Sequence, residues 1–249
     1  MLGLGIGMMT GGAPSEWTPA DLSSLIHWYK YDTGLTKSTV DGVANIVTNW
    51  ADQKGSNHLI GFDADSGGTV DADEALQWID GGGLKFGDAS DSLSFTSELQ
   101  LGTFAIYGRY KWESGSTINA ETLFEKTSGS TDFIKLQSST TARVKVSNNR
   151  HDYTLPATVS LNTKFNFGFE RADTASTTDD RMLIFLDGQA ATQEGTGDGT
   201  QAITDLLDVG RLGSPAHISY VYEIVICNDA LSVADRALLN THFNNISGT

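Results

Sequence analysis

From Phe104 to Trp112 the chain alternates, with Phe104, Ile106, Tyr110 and Trp112 on one side of an extended backbone and Tyr107, Arg109 and Lys111 on the other. Successive side chains of a strand point to opposite faces, so the pattern predicts a half-buried strand. The same period recurs in Ala142-Arg-Val-Lys-Val146 and in Phe165-Asn-Phe-Gly-Phe169, where three rings share a face. Arg181-Met-Leu-Ile-Phe-Leu-Asp-Gly188 is apolar on both faces, as a central strand would be, and closes on an Asp-Gly hairpin turn. Gly81-Gly-Gly83, Ser128-Gly-Ser-Thr131 and Gly195-Thr-Gly-Asp-Gly199 separate such runs. Short strands punctuated in this way predict an all-β sandwich or barrel. With 249 residues, no long linker and no internal repeat, one such domain is the economical organisation.

Two helix starts interrupt the strands. Thr18-Pro-Ala-Asp21 places a capping residue, a proline at the first helical position and an acid that reaches back, with Leu22, Leu25 and Ile26 as the apolar face. Ser232-Val-Ala-Asp235 repeats the capping logic ahead of Leu238 and Leu239.

Charge narrows the partners. The 31 Asp and Glu residues against 16 Lys and Arg give a net charge of −15, which repels phosphate backbones and anionic lipid surfaces. Nucleic acid and membrane are therefore not expected as partners. Cys227 stands alone in an apolar run, where it reads as a small buried hydrophobe, and no intrachain disulfide is possible. The first twelve residues, Met1 to Gly12, are apolar and glycine-rich, and no Lys or Arg precedes Lys30. A secretory signal needs a basic start and a longer apolar core, and a run this short cannot span a bilayer. The segment reads as an arm over residues 1–16 that packs on its own domain or on a partner.

The two ends carry a recognisable set of motifs. Trp17-Thr-Pro19 and Trp28-Tyr-Lys-Tyr-Asp32 open the chain, and Trp50-Ala-Asp52 is followed by Gly55. Leu84-Lys-Phe-Gly-Asp-Ala89, Leu123-Phe-Glu-Lys126, Asp187-Gly188 and Val209-Gly210 follow in order. Glu223-Ile-Val-Ile-Cys-Asn-Asp-Ala-Leu231 then leads into the last helix. In order and spacing, over roughly residues 17–243, this series resembles the laminin G-like branch of the concanavalin A-like jelly rolls, in particular the domains carried by tailed-bacteriophage virion proteins. The resemblance implies an antiparallel two-sheet jelly-roll sandwich over residues 17–249, with short helices near its start and C-terminus.

Candidate sites are few. Asp63-Ala-Asp-Ser-Gly-Gly-Thr-Val-Asp-Ala-Asp-Glu74 follows the twelve-residue calcium loop at Asp63, Asp65, Gly68, Val70, Asp71 and Glu74. It breaks at Gly67, where a ligand oxygen belongs, and its flanks look like strands rather than helices. It is read as a solvated acidic turn, with calcium as the one cofactor the chain would admit. Glycoside hydrolysis needs paired carboxylates, and Glu121-Thr-Leu-Phe-Glu125 is the one candidate spacing. Leu123 lies between them where jelly-roll hydrolases carry a third acid, and the Leu-Phe-Glu-Lys match makes Glu125 a strand-end surface residue. The histidines are dispersed, no Cys-His spacing suits zinc, and no nucleophile elbow occurs. His27 beside Trp28 reads as a packed core or rim residue. Trp78, Trp112, Tyr107 and Tyr153 are candidates for a sugar-stacking platform, although most aromatics at strand period are simply core.

The expected protein is therefore not an enzyme, and no catalytic, cofactor-binding or metal-ligating residue is assigned. What the resemblance implies is a virion structural protein, a head decoration or fibre-like component made in the host cytoplasm without a signal peptide. Its jelly roll would face outward toward glycan, and residues 1–12 would dock on other virion proteins or on a second copy. The alternative is a free carbohydrate-binding or adhesive module.

Overall fold

The computed structural model describes residues 16–61, 76–87, 91–113, 117–127, 131–172, 181–198, 204–213 and 217–246. The arm lies almost wholly outside these residues, and the calcium-like loop Asp63–Glu74 lies wholly outside them. Eighteen strands are described. In chain order they are β1 (Leu25–Lys30), β2 (Leu35–Val40), β3 (Val43–Trp50), β4 (Leu59–Gly61), β5 (Gln77–Ile79) and β6 (Gly83–Phe86). Then come β7 (Ser92–Leu101), β8 (Phe104–Trp112), β9 (Asn119–Glu125), β10 (Phe133–Ser138), β11 (Thr141–Val146) and β12 (Asn149–Thr154). The last six are β13 (Phe165–Arg171), β14 (Met182–Leu186), β15 (Gln189–Ala190), β16 (Thr192–Asp198), β17 (Leu207–Gly213) and β18 (Ser219–Cys227), followed by helix α1 (Val233–Asn244).

Every pairing between these strands is antiparallel. In the front sheet β1 and β6 share one edge of β18, and β8, β13, β14 and β15 follow on the other side. The back sheet runs β2, β3, β4, β7, β17, β9, β10, β11, β12 and β16. Strand β5 pairs with both β3 and β6 and stitches the layers together. The protein is an all-β antiparallel jelly-roll sandwich.

Its core follows from the alternation. Phe104, Ile106, Tyr110 and Trp112 of β8 and Phe165, Phe167 and Phe169 of β13 turn inward against Leu93 and Leu99 of β7, Ile134 of β10 and Val144 of β11. The aromatic ladder interlocks, with Phe167 and Phe169 edge to face at 4.7 Å and Trp112 stacked on Phe165 at 5.6 Å. Trp50 is fully buried and donates its indole N–H to the Lys30 carbonyl at 2.7 Å, tying β3 to the end of β1.

Two expectations are corrected here. The stretch after Thr18 is a single 3-10 turn, Pro19–Asp21, and Leu25 and Ile26 already belong to β1. The Asp21 carboxylate does reach back to the Thr18 N–H at 2.8 Å, but Leu22 is extended, so the cap closes a turn and no helix propagates. Strand β14 is not central, for its neighbours are β13 and the two-residue β15. It is apolar on both faces because Phe185, on the outer side, is covered by Arg236 of α1, whose guanidinium lies 4.0 Å from the ring centre. The Asp187-Gly188 turn is as read. Both residues have positive φ, 49° and 79°, the geometry of a two-residue hairpin turn that favours this pair.

Candidate functional site: a cleft on the outer face of the front sheet

Helix α1 lies across the outer face of the front sheet. Ser232 caps it, its hydroxyl accepting the Asp235 N–H at 3.0 Å, and Leu239 and Phe243, four residues apart, present one apolar stripe. That stripe packs on Val225, Cys227, Phe185, Leu22 and Leu25 as a second, smaller core. The Cys227 thiol is pushed up to about 11, chiefly by burial.

Beside the stripe the contact is polar. Glu170 of β13 is fully buried and accepts from Arg236 Nε at 3.0 Å, from Arg236 Nη2 at 2.8 Å, and from the Tyr107 hydroxyl. Burial, and then the Glu170 carboxylate, hold the Tyr107 phenol well above its ordinary range. Asn166 donates to the side-chain oxygens of Asn240 at 2.7 Å and Asn244 at 2.9 Å, and accepts from Arg109 Nη1 at 2.7 Å. Gly168 sits directly opposite Tyr107, and a Cβ there would lie 2.0 Å from the tyrosine ring, so only glycine lets that ring lie across β13.

Past the last turn of α1 the face opens into a cleft of about 230 Å³. Its floor is Glu223, a carboxylate inside an otherwise largely apolar buried strand. Glu223 Oε1 accepts the Trp28 indole N–H at 2.6 Å and lies 2.8 Å from His242 Nε2. Trp17 packs edge-on against His242, with ring centres 6.1 Å apart, and forms one wall. Tyr31, Lys30 and Asp32 form the other. The Lys30 ammonium stands 5.5 Å from the centre of the Trp28 ring and 4.0 Å from Asp32. Burial, followed by the charges of Asp32 and Asp80, raises the Tyr31 phenol. The cleft thus offers half-exposed aromatic surface, a held carboxylate and an ammonium within one small volume. That mixture suits a ligand with apolar C–H faces and hydroxyl edges.

The residues singled out from the sequence lie elsewhere. Glu121 is fully buried, accepts the Asn119 N–H at 3.1 Å and lies 2.7 Å from His217 Nδ1. Glu125 ends β9 and stands 3.7 Å from Arg211, so the two acids occupy unlike surroundings rather than one cleft. His27 is a rim residue whose Nδ1 lies 2.7 Å from Asp52. Of the four aromatics proposed for a platform, Trp112 and Tyr153 are in the main core and Tyr107 is under α1. Trp78 alone reaches the surface region, and its ring is covered by Lys37 at 3.5 Å while its N–H bonds the Tyr31 carbonyl. The physical reason is that alternation fixes which side a ring faces and not what covers that side: Trp112 and Tyr153 face the main core, and Tyr107 faces outward under α1.

Trp17, Tyr31 and Glu223 were readable only as parts of the two end motifs, and His242 only as one of the dispersed histidines. One signal could have found the floor. A glutamate in the middle of Tyr220-Val-Tyr-Glu-Ile-Val-Ile226 must be hydrogen-bonded if the strand is buried, and the charge itself marks the spot.

Fold and cleft together define an antiparallel jelly-roll sandwich with a mixed aromatic and carboxylate groove on its helix-bearing face. No family model matches the sequence, and no curated protein does. Solved structures do match in fold. Trypanosoma rangeli sialidase aligns with a TM-score of 0.54 at 12% identity, over 91% of this chain and 34% of the sialidase chain. Its complex with 2,3-difluorosialic acid gives the same values. The receptor-binding domain of botulinum neurotoxin type G aligns with a TM-score of 0.51 at 11% identity, over 88% of this chain and 51% of that one. The chain therefore spans about a third of the sialidases and about half of the toxin domain. The expectation that the protein is not an enzyme is corrected by this finding. The fold is shared with chains that are sialidases as well as with a receptor-binding domain, and the lack of a third acid between Glu121 and Glu125 excludes neither.

Proposed function

We propose that the protein is a carbohydrate-binding domain whose saccharide site is the cleft between Trp17, Tyr31, Glu223 and His242. The observation that carries the reading is the buried Glu223 carboxylate, oriented by Trp28 and His242 at the base of aromatic walls. A sugar ring would lay its C–H face on an aromatic wall and direct hydroxyls to the carboxylate, Lys30 and Asp32. The solved structures with this fold support it, since one is a sialidase holding a sialic acid derivative and another a receptor-binding domain. A glycan array followed by titration calorimetry tests it. Trp17→Ala is expected to weaken binding of the best array ligand about tenfold through lost stacking. Wild-type binding that Trp17→Ala and Glu223→Gln both leave untouched would remove the cleft from consideration.

A second reading places this domain on a virion, as a head decoration or fibre-like component anchored by residues 1–12 to other virion proteins or to itself. It is supported by the order of the sequence motifs and by the apolar side chains Leu2, Leu4, Ile6, Met8 and Met9 interleaved with glycine. Deleting residues 1–12 should then leave a cooperatively melting sandwich that no longer joins its particle or oligomer. Normal incorporation of the truncated protein would defeat this reading. The net charge of −15 argues against nucleic acid or an anionic membrane as the partner of either form.

A further inference from the structure

Against the overall negative charge, one place on the outer face gathers cations. Tyr220 of β18 lies opposite Lys85 of β6 on one side and Lys111 of β8 on the other. Phe165 lies opposite Tyr110, which sets Lys164, the preceding residue, beside Lys111. Directly opposed residues on paired antiparallel strands share a face, so Lys85, Tyr220, Lys111 and Lys164 form a row across four strands. The Lys111 ammonium is 4.3 Å from the Tyr220 ring centre, and the Lys164 ammonium is 4.6 Å from that of Tyr222. Arg109 stands behind the row at the last turn of α1, bonded to Asn166 and to Asn244.

Several cations of this protein find carboxylates: Lys126 pairs with Asp208, Arg143 with Asp152, Arg211 with Glu125, and Arg236 with Glu170. Among the described residues, none of Lys85, Lys111, Lys164 and Arg109 has an ion-pair partner. Arg109 is only 8% exposed and its Nε–H is buried without an acceptor, as is the Tyr222 hydroxyl. Burial first, and then Arg109 and Lys111, lower the Lys164 ammonium, so the cations repel one another. Among the described residues, the carboxylates that face the row are Glu113, which accepts from the Tyr220 hydroxyl at 3.3 Å, and Asp187, which bonds the Asn166 N–H and acts on Arg109. The row also joins the cleft. The Tyr31 ring, a wall of the cleft, meets the Tyr222 ring edge to face at 5.7 Å.

We propose that this lysine and tyrosine row is an anion subsite continuous with the saccharide cleft, and that it takes the acidic group of a sugar bearing a carboxylate or a sulfate. The inference rests on the carbohydrate-binding reading and specifies the class of glycan. Crowded ammonium groups, a liability in the free protein, become charge-assisted donors once an acid lies among them. The Tyr220 and Tyr222 rings are buried beneath the Lys111 and Lys164 ammonium groups and hold them by cation–π contact, while the aromatic walls of the adjoining cleft supply the apolar surface that a sugar needs and a bare anion does not.

The test is an array carrying neutral, carboxylated and sulfated glycans, then calorimetry on the best ligand of each class, with poly-glutamate as a non-sugar anion. At least one acidic class should bind about tenfold tighter than the neutral class at low salt, and the advantage should shrink as salt rises. Which acidic class wins names the acid. The advantage should vanish in Lys111→Gln/Lys164→Gln and persist in Lys111→Arg/Lys164→Arg, both melting as wild type. Should the glutamine pair destabilise the fold, Lys85→Gln at the far end of the row must show part of the same loss. Equal affinity for acidic and neutral glycans, or an acidic preference that the glutamine substitutions leave intact, overturns the subsite while leaving the cleft. Poly-glutamate binding as tightly as the acidic glycans also overturns it. Binding to no glycan of any class brings down the carbohydrate reading and the subsite together.

Discussion

The two faces of the front sheet are built from the same strands and stabilised by different physics. On the inner face β8 and β13 contribute Phe104, Ile106, Tyr110, Trp112, Phe165, Phe167 and Phe169, held by dispersion and exclusion of water. On the outer face the same two strands contribute Tyr107, Arg109, Asn166 and Glu170, each bonded to a partner on α1. The inner face gains stability from shape and volume, while the outer face under α1 depends on the hydrogen bonds its buried polar groups make with the helix. Beyond the helix that pairing is incomplete, and the Arg109 Nε–H and the Tyr222 hydroxyl are left without acceptors. That difference explains why the cleft sits where α1 ends. The polar strand face continues there, and the helical partners that satisfied it do not.

Substitutions can break or sharpen the contrast. Phe167→Ala, in the middle of the inner ladder, is expected to cost about 4 kcal/mol in denaturant melts, the usual loss for a fully buried phenylalanine. A loss under half that would mean that the inner face is loosely packed. Arg236→Met should cost about 3 kcal/mol, because it strands the fully buried Glu170 carboxylate. Adding Glu170→Gln should recover much of that loss, and failure to do so would assign the cost to packing on Phe185 instead.

Asp52 behaves like the outer face although it lies at a sheet end. Burial pushes its carboxyl up, but the hydrogen bond from His27 and the N–H groups of Lys54, Trp28 and Gly55 outweigh that and hold it down at about 2. Because the folded value is below the ordinary one, its stabilisation is complete above about pH 4 and is lost as the pH falls toward 2. Asp52→Asn should therefore cost about 2 kcal/mol at neutral pH, typical of hydrogen bonds to a charged acceptor, with the gap to wild type closing below pH 4. A gap that stays constant with pH would deny the carboxylate this role. Smallest of the set, Ser232→Ala should cost about 1 kcal/mol by uncapping α1, and its effect should be additive with Phe167→Ala.

The inner face was legible in the sequence almost residue by residue. Phe104, Ile106, Tyr110 and Trp112 could be assigned to one side because alternation is a property of the strand itself. The capping of α1 at Ser232 was legible for the same reason, being local. The outer face was not. Tyr107 reads as a solvent-side aromatic until Arg236, 129 residues later, closes over it. Glu121 and Glu125 read as a pair by spacing, yet one is wholly buried against His217 and the other faces Arg211, since spacing along a strand says nothing about what lies across the sandwich. The cleft escaped notice because its walls come from Trp17 and Tyr31 and its floor from Glu223 and His242, two sets from opposite ends of the chain that the β1 and β18 pairing brings together. The Trp50-Ala-Asp52 motif, followed by Gly55, proves structural. Asp52 organises the turn, and a Cβ at residue 55 would come within 2.7 Å of its carboxylate.

Strand β18 occupies the middle of the front sheet, with β1 and β6 on one flank and β8 on the other, yet nearly all the chain precedes it. On a ribosome adding about 5 to 20 residues per second, Lys30 emerges and then waits roughly 10 to 40 s for Glu223, its neighbour in the sheet. Until then β1, and β8 once it is made, lack the strand that pairs between them, the condition under which strands pair with those of other molecules. The excess of negative charge then acts on the growing chain rather than on the finished one, holding nascent copies apart until the central strand arrives.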